Sequence, residues 1–420
     1  MSTRGAAVES ERPAYRDANV LRWLAAYTAS VTGDVVYFLA LSWAATRVAG
    51  PSQVGLVVAA GALPRAVLML GGGVVADRFG PRQVAVLSDA VRCAVILAVA
   101  GAVVASAPGA WLLIALALVF GVVDAVFMPA VGALPPWITA PAQLARVQGM
   151  RGLSVRLGNA AGPPAAGAVL VFGGAAGAFA VAGALFAVSL VLLLTVRTRE
   201  PAAPVSRHTS AWRELGDGLR YVRRHRVLAP LVAVVGLSEM CFSGPVATGL
   251  VLLADERGWG APGMGWIASA FSVGAAAAAL LFTVAPGIPR AGLAMPGALL
   301  VTAAGAVALG RAPSLPAAAT FGALIGLTSG FATAVTSALV QTEADPRYLG
   351  RVTSVTTLCT LGFAPALFPA VGVTVQLWGA EAFFAGCGAV CLLAAVVGLS
   401  APVLRRAELR PPRSAAPTGR

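Results

Sequence analysis

Apolar runs of about 20 residues, long enough at 1.5 Å per residue to cross a ~30 Å hydrocarbon core, recur along the whole chain. They fall at 20–47, 53–75, 83–106, 110–132, 148–172, 176–196, 227–253, 262–286, 292–310, 316–339, 352–376 and 381–404. Lipid offers backbone amides no hydrogen-bond partner, so segments of this kind can only be helices bonded within themselves. The chain is 58% hydrophobic and 11% charged, against about 25% charged for a soluble domain. So little polar surface could not cover a soluble core of this size. The expected fold is an all-α integral membrane protein of twelve transmembrane helices.

The basic residues are all arginine, and the net charge is +13. The arginines cluster between apolar runs, which reads as membrane topology and argues against nucleic acid as a partner. With the N-terminus inside, 25 of them fall in or at the edge of cytoplasmic segments. Three fall outside (Arg47, Arg257, Arg311), and Arg65 and Arg92 lie within spans. This bias predicts both termini in the cytoplasm. Residues 1–19 are polar and read as a cytoplasmic segment rather than a cleaved leader. The alanine-rich, lysine-free composition points to a GC-rich bacterial genome, hence to a bacterial cytoplasmic membrane.

The longest polar interruption, 197–226, divides the chain into six-helix halves at 20–196 and 227–404. Within this linker Trp212, Leu215, Leu219 and Val222 recur at helical spacing among arginines, as in a helix lying on the membrane surface. The tail 405–420 is rich in Arg and Pro and is expected to be a disordered cytoplasmic segment. Two halves joined this way suggest a parallel repeat with a substrate site between them at mid-membrane. The five cysteines all lie in apolar runs, where a free thiol packs as a small hydrophobe. His208 and His225 both sit in the linker, so no intramembrane His or Cys/His pair supports an enzyme, and no metal or cofactor is expected. Without lysine there can be no phosphate loop ending in G-K-[ST] to drive ATP-powered pumping.

Two local motifs carry mechanism. After span 2, Gly73, Asp77, Arg78, Gly80 and Arg82 place an acid and arginines at the cytoplasmic boundary, a loop suited to latch two conformations together. In span 5, Gly158 and Gly162 make a close-packing face, Pro163 and Pro164 remove backbone donors and are expected to kink the helix, and Gly167 follows. The first segment resembles the loop motif of the major facilitator superfamily, with Pro81 where that motif usually has Arg. The second resembles the same superfamily's antiporter motif, with Ala166 in place of Gly. Further stretches, among them Thr32-Gly33-Asp34, Ser88-Asp89-Ala90-Val91-Arg92 and Phe127-Met128-Pro129-Ala130, resemble the branch that contains macrolide efflux proteins and the enterobactin exporter. The resemblance implies two six-helix bundles, alternating access and export.

Ionisable groups inside the membrane are functional candidates by default. Helix rise puts Asp34, Arg65, Asp124 and Glu239 about 12–20 Å from the inner face, near mid-membrane and in both halves. Asp34 reads either as a fixed salt bridge to Arg65 or as a switch that is charged in one state and protonated or substrate-bound in the other. Asp124 is an alternative partner for Arg65. Burial disfavours a charged carboxyl and a nearby arginine favours it, so a moving arginine would alter proton affinity between states. Glu239 is a second candidate for coupling or for a cationic substrate. Asp89 and Arg92, one turn apart and nearer the inner face, read as a structural pair supporting the latch loop. Tyr37, Trp43, Phe127, Phe242 and Phe271 are candidate cavity walls.

These readings converge on proton-coupled export of small, largely apolar compounds such as a drug, macrolide or siderophore, by a monomer whose partners are protons, substrate and membrane lipid. Uptake or facilitated diffusion of a small metabolite is the alternative, and a non-transporting receptor or scaffold a more distant one.

Overall fold

The structure is a computed structural model that describes residues 14–105, 109–198, 211–242, 244–284, 291–345, 348, 351–352, 355–356, 358–359 and 364–405. Its elements are helices: α1 (Ala18–Val48), α2 (Pro51–Phe79), α3 (Pro81–Ala105), α4 (Ala110–Ala133), α5 (Pro135–Ile138), α6 (Leu144–Thr195) and α7 (Ala211–Arg224) in the first part of the chain. There follow α8 (Leu228–Phe242), α9 (Pro245–Glu256), α10 (Gly260–Val284), α11 (Ala291–Gly310), α12 (Leu315–Glu343), α13 (Ala364–Ser400) and α14 (Pro402–Arg405).

Among the described residues, ten stretches are long and apolar enough to cross a membrane. Two of them hold two crossings each. In α6 the backbone leaves helical geometry at Gly174 (φ 57°), and in α13 at Gly379 (φ 80°). A left-handed φ of this kind is tolerated by glycine alone without strain, so one residue suffices to turn one span into the next. The seventh crossing is broken where the sequence read a single span: α8 ends at Phe242 and α9 starts at Pro245, with Gly244 at φ 133° between them. Proline lacks the amide that would continue the helix. By contrast, helical dihedrals persist through Pro163 and Pro164, and the departure in that element comes at Gly174. Among the described residues these stretches hold twelve crossings, six before α7 and six after it.

Lipid supplies no hydrophobic drive between helices, so they pack through small residues that let backbones approach. A Cβ placed on Gly121 of α4 would lie 2.1 Å from the Gly61 carbonyl oxygen of α2. In the second half, a Cβ on Gly326 of α12 would lie 2.0 Å from the Phe271 carbonyl oxygen of α10. Spans 2 and 4 thus pair in one bundle as spans 8 and 10 do in the other, a structural repeat that the sequence echoes only faintly. Large apolar side chains including Val74, Trp111, Phe172, Leu280 and Trp378 are left exposed, as a lipid-facing surface requires.

The two bundles touch at the end that carries the few arginine loops. A Cβ on Gly55 of α2 would sit 2.4 Å from the Phe368 carbonyl oxygen of α13, and one on Gly372 would sit 2.4 Å from that of Pro51. A Cβ on Gly167 of α6 would lie 2.7 Å from the Gly265 Cα of α10, and Arg47 faces Asp255 at 3.9 Å. At the opposite end α7 lies against the second bundle. Its Val222 is buried in the core of that bundle, and Tyr221 stacks on Tyr348 with ring centroids 4.4 Å apart. The Tyr221 hydroxyl accepts from the Asp345 amide at 3.2 Å. This helix therefore spends part of its apolar face on protein. The side chains of Trp212 and Leu215, and the tail from residue 406, lie outside the described residues.

Candidate functional site: one buried arginine among three aspartates

Three helices of the first bundle aim charge at one point. On α1, Ser30, Asp34 and Tyr37 recur at spacings of four and three residues and so share a face. On α3, Asp89 and Arg92 are one turn apart, and α4 contributes Asp124 between Phe120 and Phe127. Arg92 is completely buried. Its Nη1 donates to Asp34 Oδ1 at 2.9 Å and to Asp124 Oδ1 at 3.2 Å. Its Nη2 donates to Ser30 Oγ at 2.9 Å and to Asp89. Phe127 and Phe186 pack on the guanidinium, with ring centroids 3.8 and 4.7 Å from Cζ. Charged hydrogen bonds and cation–π contacts together make a buried guanidinium tolerable.

The three carboxylates differ in access. Asp89 is sealed: Ser189 Oγ donates to its Oδ2 at 2.5 Å and its side chain has no exposed surface. The Asp124 side chain is 12% exposed and that of Asp34 is 26% exposed. Arg65 completes the group from α2, its Nη1 lying 4.0 Å from Asp124 Oδ2. Three acids and two bases leave the cluster one negative charge in excess when all are ionised.

This geometry departs from the sequence reading. Arg65 is within salt-bridge distance of Asp124, the alternative partner, and the strong partner of Asp34 is Arg92. Asp89 and Arg92 do pair, but at the core of the bundle rather than as a prop for the latch loop. Arg92 lies eleven residues into α3, or about 16 Å from its start, at the same depth as Asp34 and Asp124. Helix rise counted from the start of α3 is the signal in the sequence that marks Arg92 as central. Ser30 and Ser189 gave no such signal, since a lone serine in an apolar run usually bonds its own helix.

Asp34, Arg65 and Asp124 open on a cavity of about 540 Å³ whose wall includes Tyr37, Phe242, Phe271 and Phe368. Tyr37 is held by stacking on Phe120 at 3.9 Å between centroids. Two expected wall residues stand elsewhere. Trp43 is buried in the core at the closed end with the Arg47 guanidinium 4.6 Å above its ring, and Phe127 sits behind Arg92. Glu239 lines a second cavity of about 470 Å³ in the other bundle, and Phe242 borders both.

Cβ atoms on Gly158 and Gly162 would meet Val31 at 2.7 Å and Val35 at 2.5 Å, so this motif seats α6 against the helix that carries Asp34. Gly167 makes the contact with α10, and Pro163 reaches the cavity wall. In the latch loop, Gly80 turns the chain at φ 86° and Arg82 Nη2 donates to the Leu194 carbonyl at 2.7 Å, tying α3 to the end of α6. Arg78 lies 5.6 Å over the Phe79 ring. The side chain of Asp77 and the surroundings of Gly73 fall outside the described residues.

Comparison with known proteins agrees with this architecture. The multidrug efflux pumps Tap of Mycobacterium tuberculosis and Mycobacterium bovis are 25% identical to the chain over 402 residues, covering 91% of this chain and 93% of theirs. A peptide transporter of the POT family superposes with a TM-score of 0.72 at 12% identity, covering 94% of this chain and 98% of its own. A bacterial homologue of the lysosomal transporter Spinster does so with a TM-score of 0.71 at 14% identity and the same coverage. A bacterial homologue of the iron transporter ferroportin gives 0.62 at 18% identity, covering 91% and 98%. Residues 23–359, from α1 into the second bundle, match the Major Facilitator Superfamily, and the chain belongs to that family of membrane transporters.

Proposed function

We propose that this transporter exports small, largely apolar compounds across a bacterial cytoplasmic membrane in exchange for protons, with both termini in the cytoplasm. The observation that carries this reading is the Arg92 cluster opening on the cavity. With one negative charge in excess, it is neutralised by a single proton or a single positive charge. Asp34 is the carboxylate through which that exchange runs, because it combines a direct bond to Arg92 with the greatest exposure to the cavity. A proton on Asp34 weakens one of the ties between α1 and α3 while Asp89 and Asp124 retain the arginine. Because Gly158 and Gly162 pack α6 against α1, a shift of α1 is passed to the helix that reaches the other bundle at Gly167. Arg78, Gly80 and Arg82, with Gly73 and Asp77, act as the latch at the cytoplasmic side. The direction of transport is supported by the export motif in α6 and by the efflux pumps to which the chain is related.

Inside-out vesicles carrying the wild type or Asp34→Asn test the proposal, with a pH-sensitive dye following a pre-formed gradient as macrolides, siderophores and cationic dyes are added. A compound that discharges the gradient with the wild type and not with folded Asp34→Asn is expected. Labelled-compound flux that ignores the gradient would point to facilitated diffusion instead.

A further inference from the structure

Three of the five cysteines converge inside the second bundle. Cys241 lies in the last turn of α8, just ahead of the break at Gly244, and Cys387 and Cys391 lie one turn apart on the last crossing of α13. These two crossings run antiparallel and in contact. A Cβ on Gly398 would lie 3.6 Å from Val234 Cγ2, and one on Gly249 would lie 2.2 Å from Phe383 Cε1. Cys241 is seven residues outward from Val234, and Cys391 is seven residues outward from Gly398. The register therefore sets the end of α8 level with the turn that carries Cys387 and Cys391. There the Cys241 and Cys387 thiols hydrogen-bond to each other, and Cys391 faces Cys241 from the next turn. The bonded pair is buried in one apolar core. Cys93, by contrast, spends its thiol on the Gly183 carbonyl at 3.5 Å.

A buried thiol is ordinarily inert because reagents do not reach it. Two features set this pair apart. Gly386, the residue before Cys387, is exposed, and a Cβ there would meet nothing within 4 Å; Ala389 is exposed as well. Small residues thus leave a thin cover between the pair and the lipid. The second thiol is also already in place, so closing a bond after the first is oxidised needs only side-chain rotation. We infer that Cys241 and Cys387 are an oxidation site, which a lipid-soluble hydroperoxide converts to a disulfide tying the end of α8 to the last crossing. One sulfur attacks the peroxide, the O–O bond breaks, and the thiol proton goes to the departing alkoxide, leaving a sulfenic acid and an alcohol. The other sulfur then displaces the sulfenic hydroxyl, which leaves as water with the second thiol proton. The two thiols give up two electrons, and the hydroperoxide is reduced to alcohol and water. The bond restrains α8 beside the break at Gly244 and next to Phe242, which borders both cavities. The inference depends neither on the proton exchange proposed above nor on the identity of the cargo.

The test uses full-length protein in liposomes, treated with cumene hydroperoxide and analysed by non-reducing peptide mapping and by hydrogen exchange. A bond joining Cys241 to Cys387 is expected in the wild type, reversed by dithiothreitol. Cys387→Ser should lose it and Cys359→Ser should keep it. Oxidised glutathione, which stays in water, should leave the pair reduced. Once the bond has formed, amides in peptides that span the break at Gly244 should exchange at least about tenfold more slowly, within the constraint a disulfide supplies. No bond at Cys241 in the wild type, a bond from Cys241 to another cysteine, equal reaction with oxidised glutathione, or exchange at the break unchanged by the bond would overturn the inference.

Discussion

Arg92 sits where an unpaired guanidinium would be intolerable, and its partners explain why it is there. Three helices each spend a carboxylate on it, so it fixes their rotation as well as their charge. Removing one member of a fully buried ionic group typically costs about 3–5 kcal/mol, because the charges left behind have no water to turn to. Arg92→Ala is therefore expected to lower the thermal midpoint in detergent well below that of Arg65→Ala, whose side chain is partly exposed and 4.0 Å from its partner. Arg92→Lys should keep the charge and still lose transport, since an ammonium cannot hold Asp34, Asp89 and Asp124 in the fork geometry. Equal stability of Arg92→Ala and Arg65→Ala, measured by thermal unfolding, would mean that the cluster does not organise the bundle. Asp34, Arg65 and Asp124 were legible in the sequence as charges stranded in apolar runs. Their pairing was not, because it depends on how α3 is rotated against α1 and α4, and the apolar runs constrain depth much better than rotation.

At the scale of the helix, glycine placement decides what can pack. Gly121 and Gly101 lie in neighbouring helices of one bundle, yet a Cβ on the first meets a backbone carbonyl at 2.1 Å while a Cβ on the second meets nothing within 4 Å. Gly121→Ala should destabilise by about 1–3 kcal/mol, as overpacking does, or more because backbone must move. Gly101→Ala should be neutral or gain up to about 1 kcal/mol from helix propensity. Unfolding of the two variants side by side checks this, and matching midpoints would contradict the packing described. Helices were legible because a membrane allows little else to an apolar run. The turns at Gly174 and Gly379 showed only as short Gly- and Ala-rich joins, and the break at Gly244 did not show at all. There Ser243, Gly244 and Pro245 interrupt the apolar run for three residues only, too few to divide a span by hydropathy.

At the scale of the molecule, the two bundles close on each other at the end marked by Gly55, Gly167 and Gly372, and the Arg92 cluster faces the cavity on the other side of that closure. Alternating access requires this closure to open. Cysteines at positions 47 and 255, where Arg47 and Asp255 now face each other at 3.9 Å, should be joined through two disulfides by a short bis-methanethiosulfonate. The cross-linked protein is expected to lose transport and to recover it on reduction, and full transport by the cross-linked form would rule out this end as a gate. The division into two bundles was legible from the arginine-rich interruption at 197–226, whereas the surfaces on which the bundles meet were hidden in glycines that resemble any other packing glycine. The central claim is that substrate and proton compete for one charge at the Arg92 cluster. It is tested most directly by adding the compound that discharges the vesicle gradient to purified protein in weakly buffered detergent and counting protons released per molecule bound. The account predicts release of about one proton from the wild type, the single excess charge of the cluster, and none from Asp34→Asn. Binding to the wild type without proton release, or release undiminished in Asp34→Asn, would contradict it.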